Sequence, residues 1–211
     1  MPSEAIVHVV DDDLAVRQSL SFLLASEGLP VRLHESALAF LDAVTAPSGC
    51  ILTDVRMPGM DGIEFLRRLR ERGFAVPVIV MTGHADVPMA VEAMRQGAVD
   101  FIEKPFDDDM LLASVHSALK LQEQQTERDG QLTDAQARLE GLSERERQVL
   151  KGLVAGKANK VIAYDLGISP RTVEIYRANV MTKMQAGSLS ELVRLALLTG
   201  IDPSSSMPLA P

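Results

Sequence analysis

The sequence predicts a doubly wound α/β domain with a five-stranded parallel sheet, followed by a small all-α domain. Three observations predict it. Short apolar runs alternate with longer amphipathic stretches over residues 1–120. These runs are apolar throughout rather than at every second position, as expected of strands covered on both faces by helices. Beyond residue 140 no strand pattern remains and only helical spacing continues.

Each element has its own signal. Ile6–Val10 is an apolar run closed by Asp11-Asp12-Asp13. Leu14–Ser26 places apolar residues at 16, 20, 23 and 24, a helical spacing, with Asp13 as N-cap and Gly28 as stop. Pro30–His34 is a weaker strand, and Ser36 caps a helix over Ala37–Thr45. Cys50–Thr53 is the third strand and ends in Asp54. The turn Met57-Pro58-Gly59-Met60 leads into a helix over Asp61–Arg72. Strands at Pro77–Met81 and Val99–Ile102 alternate with helices at Asp86–Gln96 and Asp107–Leu119. Asp107-Asp108-Asp109 opens its helix and reads as capping and dipole compensation. Successive β–α pairs imply parallel strands with helices on both faces.

Residues 121–140 are rich in Gln and charge and read as a helical linker with a break at Gly130. Helices follow at Ser143–Val154, Asn159–Leu166, Pro170–Met184 and Ser188–Leu198. Ser143 and Glu146 have capping-box spacing, and Pro170 sits where its missing N–H costs nothing. The expected division is a sheet domain at 1–120, the linker, a helical domain at 141–200 and a flexible tail at 201–211.

Composition bounds the function. Of 211 residues, 46% are hydrophobic and 24% charged, which excludes wholesale disorder. The apolar run that contains Ala75–Met81 starts at Phe74 and is eight residues with Pro77 inside, against about twenty for a membrane helix. The N-terminal MPSEAIVHVV lacks the pattern of a signal peptide. A single cysteine, Cys50, excludes an internal disulfide and a cysteine-based zinc site. It suits a buried apolar position in a protein of the reducing cytoplasm. The net charge of −8 hides an asymmetry: residues 1–123 hold 10 Lys/Arg against 19 Asp/Glu, whereas residues 145–194 hold 9 against 4. The basic segment is a candidate nucleic-acid binder.

In doubly wound sheets ligands sit beyond the carboxyl ends of the strands, where the strand order reverses. With order 2-1-3-4-5, Asp11, Asp12 and Asp54 share one small site there. Clustered carboxylates repel, and a hard divalent cation such as Mg²⁺ relieves the repulsion. Asp54, alone at its strand end, is the candidate nucleophile. Lys104 supplies an ammonium for phosphoryl oxygens and Thr82 a hydroxyl.

The segments VVDDD at 9–13, LTDVRMPGMDG at 52–62, VIVMTGHAD at 78–86 and GAVDFIEKPF at 97–106 resemble a two-component response regulator's receiver domain, a flavodoxin-like fold. The resemblance implies a phosphoryl group taken by Asp54 from a sensor histidine kinase. It implies Mg²⁺ held by Asp11, Asp12, Asp54 and the carbonyl of Arg56, with Lys104 on the phosphoryl group. It also implies a cis Lys104–Pro105 bond and a switch pair of Thr82 and Phe101.

In the second domain a short helix, a glycine turn and a longer polar helix make a helix-turn-helix pattern. Arg171, Thr172, Glu174, Tyr176 and Arg177 are candidates for contact with double-stranded promoter DNA. Lys157, Lys160 and Lys183 are candidates for its phosphates. LSERERQVL, GKANKVIAYDLGIS and RTVEIYRANVMTKM resemble the LuxR-type domain of NarL/FixJ regulators, with Tyr176 where that family often has His. The receiver segments are most similar to the FixJ branch, which implies a transcriptional activator, not an enzyme, with a link to nitrogen fixation. Activation then proceeds by homodimerisation on a face carrying Val91, Met94 and Arg95, and RNA polymerase is a further partner. Two other classes fit less well. A phosphatase of the haloacid dehalogenase kind needs a second Asp two residues after its nucleophile, where this chain has Arg56. A DNA-binding protein with a receiver used only for docking would take up no phosphate.

Overall fold

The computed structural model describes residues 5–83 and 87–201. Asp86, the start expected for the fourth helix, and the tail from Asp202 onward lie outside them. The chain divides into two compact units, residues 1–126 and 127–211.

Up to residue 140 the chain alternates β1 (Ile6–Val10), α1 (Leu14–Ser26), β2 (Val31–His34), α2 (Ala37–Ala43), β3 (Gly49–Asp54), α3 (Gly62–Glu71), β4 (Val78–Thr82), α4 (Val87–Arg95), β5 (Asp100–Glu103) and α5 (Asp108–Glu140), whose residues from 127 on belong to the second unit. The strands pair in parallel in the order β2-β1-β3-β4-β5, so the reversal point lies between β1 and β3 as predicted. Side chains alternate across the sheet. Val10, Ile51, Val78 and Val80 pack with Phe40, Phe65 and Leu66 on one face. Val9, Leu52, Ile79 and Met81 pack with Leu20, Leu24, Leu111 and Val115 on the other.

The caps follow the local sequence. Asp13 accepts from the amide of Ala15, Ser36 from Ala39 and Asp61 from Glu64. Helix α5 runs 33 residues without interruption at Gly130, contrary to the expected break. One helical glycine costs only about 1 kcal/mol, and Arg128, Gln131 and Leu132 beside it are good helix formers.

The second unit has α6 (Glu144–Val154), α7 (Asn159–Leu166), α8 (Pro170–Lys183) and α9 (Leu189–Leu198). The capping box of Ser143 and Glu146 is formed. Gly167 closes α7 with φ 64°, the left-handed turn that glycine accepts at least cost. Val149, Leu150, Ile162, Val173, Val180 and Leu192 form the core.

One feature of the sheet has no sequence signal. His8 Nδ1 lies 3.1 Å from His34 Nε2 across β1 and β2, and both rings meet Phe40 edge-on. Burial first, then His34 and Arg32, pull the His8 pKa from 6.5 down to about 4. Burial and Arg32 lower that of His34 too. A histidine held neutral in the fold stabilises it fully above pH 6.5, and this stability is lost as pH falls towards about 4. The expected loss from His8 is about 1.4 kcal/mol per pH unit in that window. Urea unfolding at pH 7 and pH 5 checks this, with His8→Leu expected to flatten the dependence.

Candidate functional site

Register assembles the first site. Val10 pairs with Thr53, so Asp11 and Asp54 follow side by side at the carboxyl end of the sheet. Asp54 shares the face of Leu52, and Lys104 that of Ile102, so period-two alternation brings both to the face of Asp11. Lys104 Nζ donates to Asp11 Oδ2 and to Asp54 Oδ1, each at 2.7 Å. The Asp54 Oδ2 accepts from the Arg56 amide at 2.6 Å, and Asp11 Oδ1 from the Asp13 amide at 2.9 Å. Asp11 and Asp54 are buried, 1% and 8% exposed. Burial pulls the Lys104 pKa down, but the two carboxylates outweigh it and leave the ammonium above its ordinary value.

This arrangement differs from three carboxylates crowded together. Lys104 already offsets the repulsion between Asp11 and Asp54, while Asp12 is exposed. Among the described residues no three metal-ligating side chains converge on one point. Two hard carboxylate oxygens converging on one cationic centre still fit Mg²⁺, which keeps several waters and takes one or two carboxylates.

Thr82, buried at the end of β4, and Phe101, opposite Val80, lie on the same face of the sheet. The carbonyl of Thr82 accepts from the Lys104 amide at 2.7 Å. The Lys104–Pro105 bond is cis. On α4, Val91 is 44% exposed, with Val87, Met94 and Arg95 exposed on the same stripe; Val87 was not singled out from the sequence.

In the second unit the helix-turn-helix corresponds to α7 and α8. Arg171 and Glu174 are exposed and paired at 3.3 Å. Lys160 is exposed. Thr172 is half-buried, its hydroxyl 2.8 Å from that of Ser169 at the helix cap. Tyr176 packs against the core, and Arg177 is half-buried. Lys157 is bound to Asp165 at 2.7 Å. Lys183 Nζ lies 2.7 Å from Glu146 Oε2, holding that carboxylate below its usual pKa and tying α8 to the capping box. Sequence reasoning passed over Ile175, Ala178, Asn179 and Thr182. They are exposed on the stripe of Arg171 and Glu174, at the 3–4 spacing that a helical wheel reveals.

A doubly wound sheet with acidic strand ends, carried on one chain with a helix-turn-helix, defines a two-domain signalling regulator. Residues 7–116 match the response regulator receiver domain, and residues 140–196 match the LuxR family of bacterial regulatory proteins. The chain belongs to the response regulators of two-component systems that carry a LuxR-type DNA-binding domain, a family of transcription regulators rather than enzymes. It is 60% identical over 205 residues to the transcriptional regulatory protein FixJ of Azorhizobium caulinodans, covering 97% of each chain. It is 55% identical over 202 residues to FixJ of Bradyrhizobium diazoefficiens, covering 95% of this chain and 98% of that protein. Among solved structures, response regulator StyR matches with TM-score 0.82 and 37% identity, over 92% of this chain and 99% of that one. Full-length FixJ from B. japonicum matches with TM-score 0.58 and 55% identity, over 94% and 98%. Receiver domains of this family generally bind Mg²⁺ at the phosphorylation site. No helix among the described residues is long and apolar enough to cross a membrane.

Proposed function

We propose that Asp54 accepts a phosphoryl group from a sensor histidine kinase in the cytoplasm, and that the phosphorylated protein dimerises and binds promoter DNA to activate transcription with RNA polymerase. The observation that carries this reading is the Lys104 ammonium held between Asp11 and Asp54. A carboxylate oxygen of Asp54 attacks phosphorus as the bond to the kinase's histidine nitrogen breaks. Lys104 turns from the carboxylates to the incoming phosphoryl oxygens as a point charge. Asp11 and Asp54, with the Arg56 carbonyl and Asp12 as further donors, would hold Mg²⁺, which would supply charge neutralisation to the phosphoryl oxygens. Thr82 moves towards the phosphoryl oxygens and Phe101 takes the space it leaves. Their common face of the sheet supports this coupling. The α4 stripe of Val91, Met94 and Arg95, extended by Val87, is the proposed homodimer face. Sedimentation velocity with and without beryllofluoride tests it. An unchanged mass across micromolar concentrations overturns receiver dimerisation and leaves release of the DNA-binding domain as the route.

On DNA, Arg171 and Glu174 lead the face proposed for the major groove, and Lys160 contacts phosphate. Thr172, Tyr176, Arg177 and Lys183 act at its border or support it, given their burial and partners. Kinship with FixJ supports a role in nitrogen fixation. Selection of bound genomic fragments with and without phosphorylation identifies the operators and tests that role. Lys160→Ala is expected to weaken binding to all duplexes and make the log–log salt slope shallower by about one unit, as fluorescence anisotropy measures. Arg171→Ala is expected to cost about 1–3 kcal/mol on a selected operator and much less on random DNA.

A further inference from the structure

Asp11 stands one residue beyond the last paired residue of β1, Val10. Four bonds hold it. Its amide donates to the His34 carbonyl at 3.2 Å. Its Oδ1 accepts from the Asp13 amide at 2.9 Å, and its Oδ2 from Lys104 at 2.7 Å. The fourth reaches in from a helix: Arg17 Nη1 donates to the Asp11 carbonyl oxygen at 2.7 Å. Arg17 is half-buried on the first turns of α1, whose cap is Asp13 itself.

We infer that Arg17 is a positioning residue for the phosphorylation pocket, holding the Asp11 backbone so that its carboxylate stays in place once Lys104 lets go. This rests on the reading of Asp11 as a cation ligand given above. A cation or phosphoryl group that draws Lys104 away removes the Oδ2 anchor. The Asp13 bond to Oδ1 then remains, and it survives only while the turn from Asp11 to Asp13 keeps its shape. The guanidinium, a charged donor on a short bond, closes that turn from the far side. Backbone and carboxylate are thus held from opposite ends, as outer partners orient metal ligands.

Arg17 also places a positive charge near two carboxylates, and the two effects have opposite signs. Charge alone predicts that Arg17→Met binds Mg²⁺ more tightly, because a repelling cation is gone. Positioning predicts weaker binding, by about tenfold or more. Isothermal titration of the full chain with Mg²⁺ separates them, and Arg17→Lys, which keeps the charge and one donor, is expected to recover part of the loss. Asp13 amide exchange, measured by NMR without metal, is the second readout and is expected to speed up in Arg17→Met. Unchanged or tighter Mg²⁺ binding by a folded Arg17→Met, or unchanged Asp13 exchange, overturns the role of Arg17. If the parent protein takes up no Mg²⁺, the cofactor reading falls, and the Asp13 exchange still decides on Arg17. Should Arg17→Met fail to fold, Arg17→Lys carries both measurements, with smaller effects of the same sign.

Discussion

Asp54→Asn is expected to abolish labelling by acetyl phosphate and Mg²⁺ while leaving the fold intact. The amide nitrogen cannot attack phosphorus as a carboxylate oxygen does, and no other carboxylate shares the position of Asp54 between Lys104 and the Arg56 amide. Equal labelling of the variant shows that another residue is the acceptor. From the acidic run alone, removal of a charge from this site promises a gain in stability. The structure changes that expectation. Lys104 sits between the two carboxylates, so the repulsion is already offset, and the variant is expected to melt no higher than its parent. The single amide oxygen can accept from Lys104 or from the Arg56 amide but not from both, and its NH2 then faces the other donor, so a loss of about 1–3 kcal/mol is expected.

Gly62→Ala is expected to destabilise the receiver by about 3 kcal/mol or more, lowering its melting temperature by about 10–20 °C. Gly62 is the first residue of α3, and its amide donates to the Val55 carbonyl at 2.8 Å. A β-carbon there would stand 2.3 Å from the Asp54 carbonyl oxygen and 3.0 Å from the Val55 α-carbon. Both obstacles are backbone, so α3 must shift away from the strand end that presents Asp54, and phosphorylation is expected to slow as well. Gly130→Ala is the control. Beyond the helix's own backbone nothing lies within 4 Å of where its β-carbon would stand in α5, and it is expected to stabilise by about 0.5–1 kcal/mol. Equal melting of Gly62→Ala and its parent means that the close approach of α3 to β3 is wrong.

Sequence by itself determined what depends on near neighbours. Apolar runs marked the strands, and the spacing of Val16, Leu20, Leu23 and Leu24 marked α1. Asp13, Ser36 and Ser143 marked helix starts because a cap is satisfied within three residues, and Pro170 because a first-turn N–H needs no partner. The connection rules made the sheet parallel and doubly wound, and the order taken for it, 2-1-3-4-5, is the one found, which makes Asp11 and Asp54 neighbours. What only the tertiary structure decided is which distant partner each polar group took. Lys104 lies 93 residues from Asp11 in sequence, and nothing local says that its ammonium bridges two carboxylates rather than facing solvent. The same holds for Arg17 on the Asp11 carbonyl, His8 against His34, and Lys183 on Glu146. On α8 the polar residues alone do not separate the outward stripe of Ile175 and Asn179 from Tyr176, which turns to the core. The physical reason is range. Periodicity and capping act within a turn or a strand, whereas a charge finds its counter-charge only after sheet register and helix packing have set the distances between them.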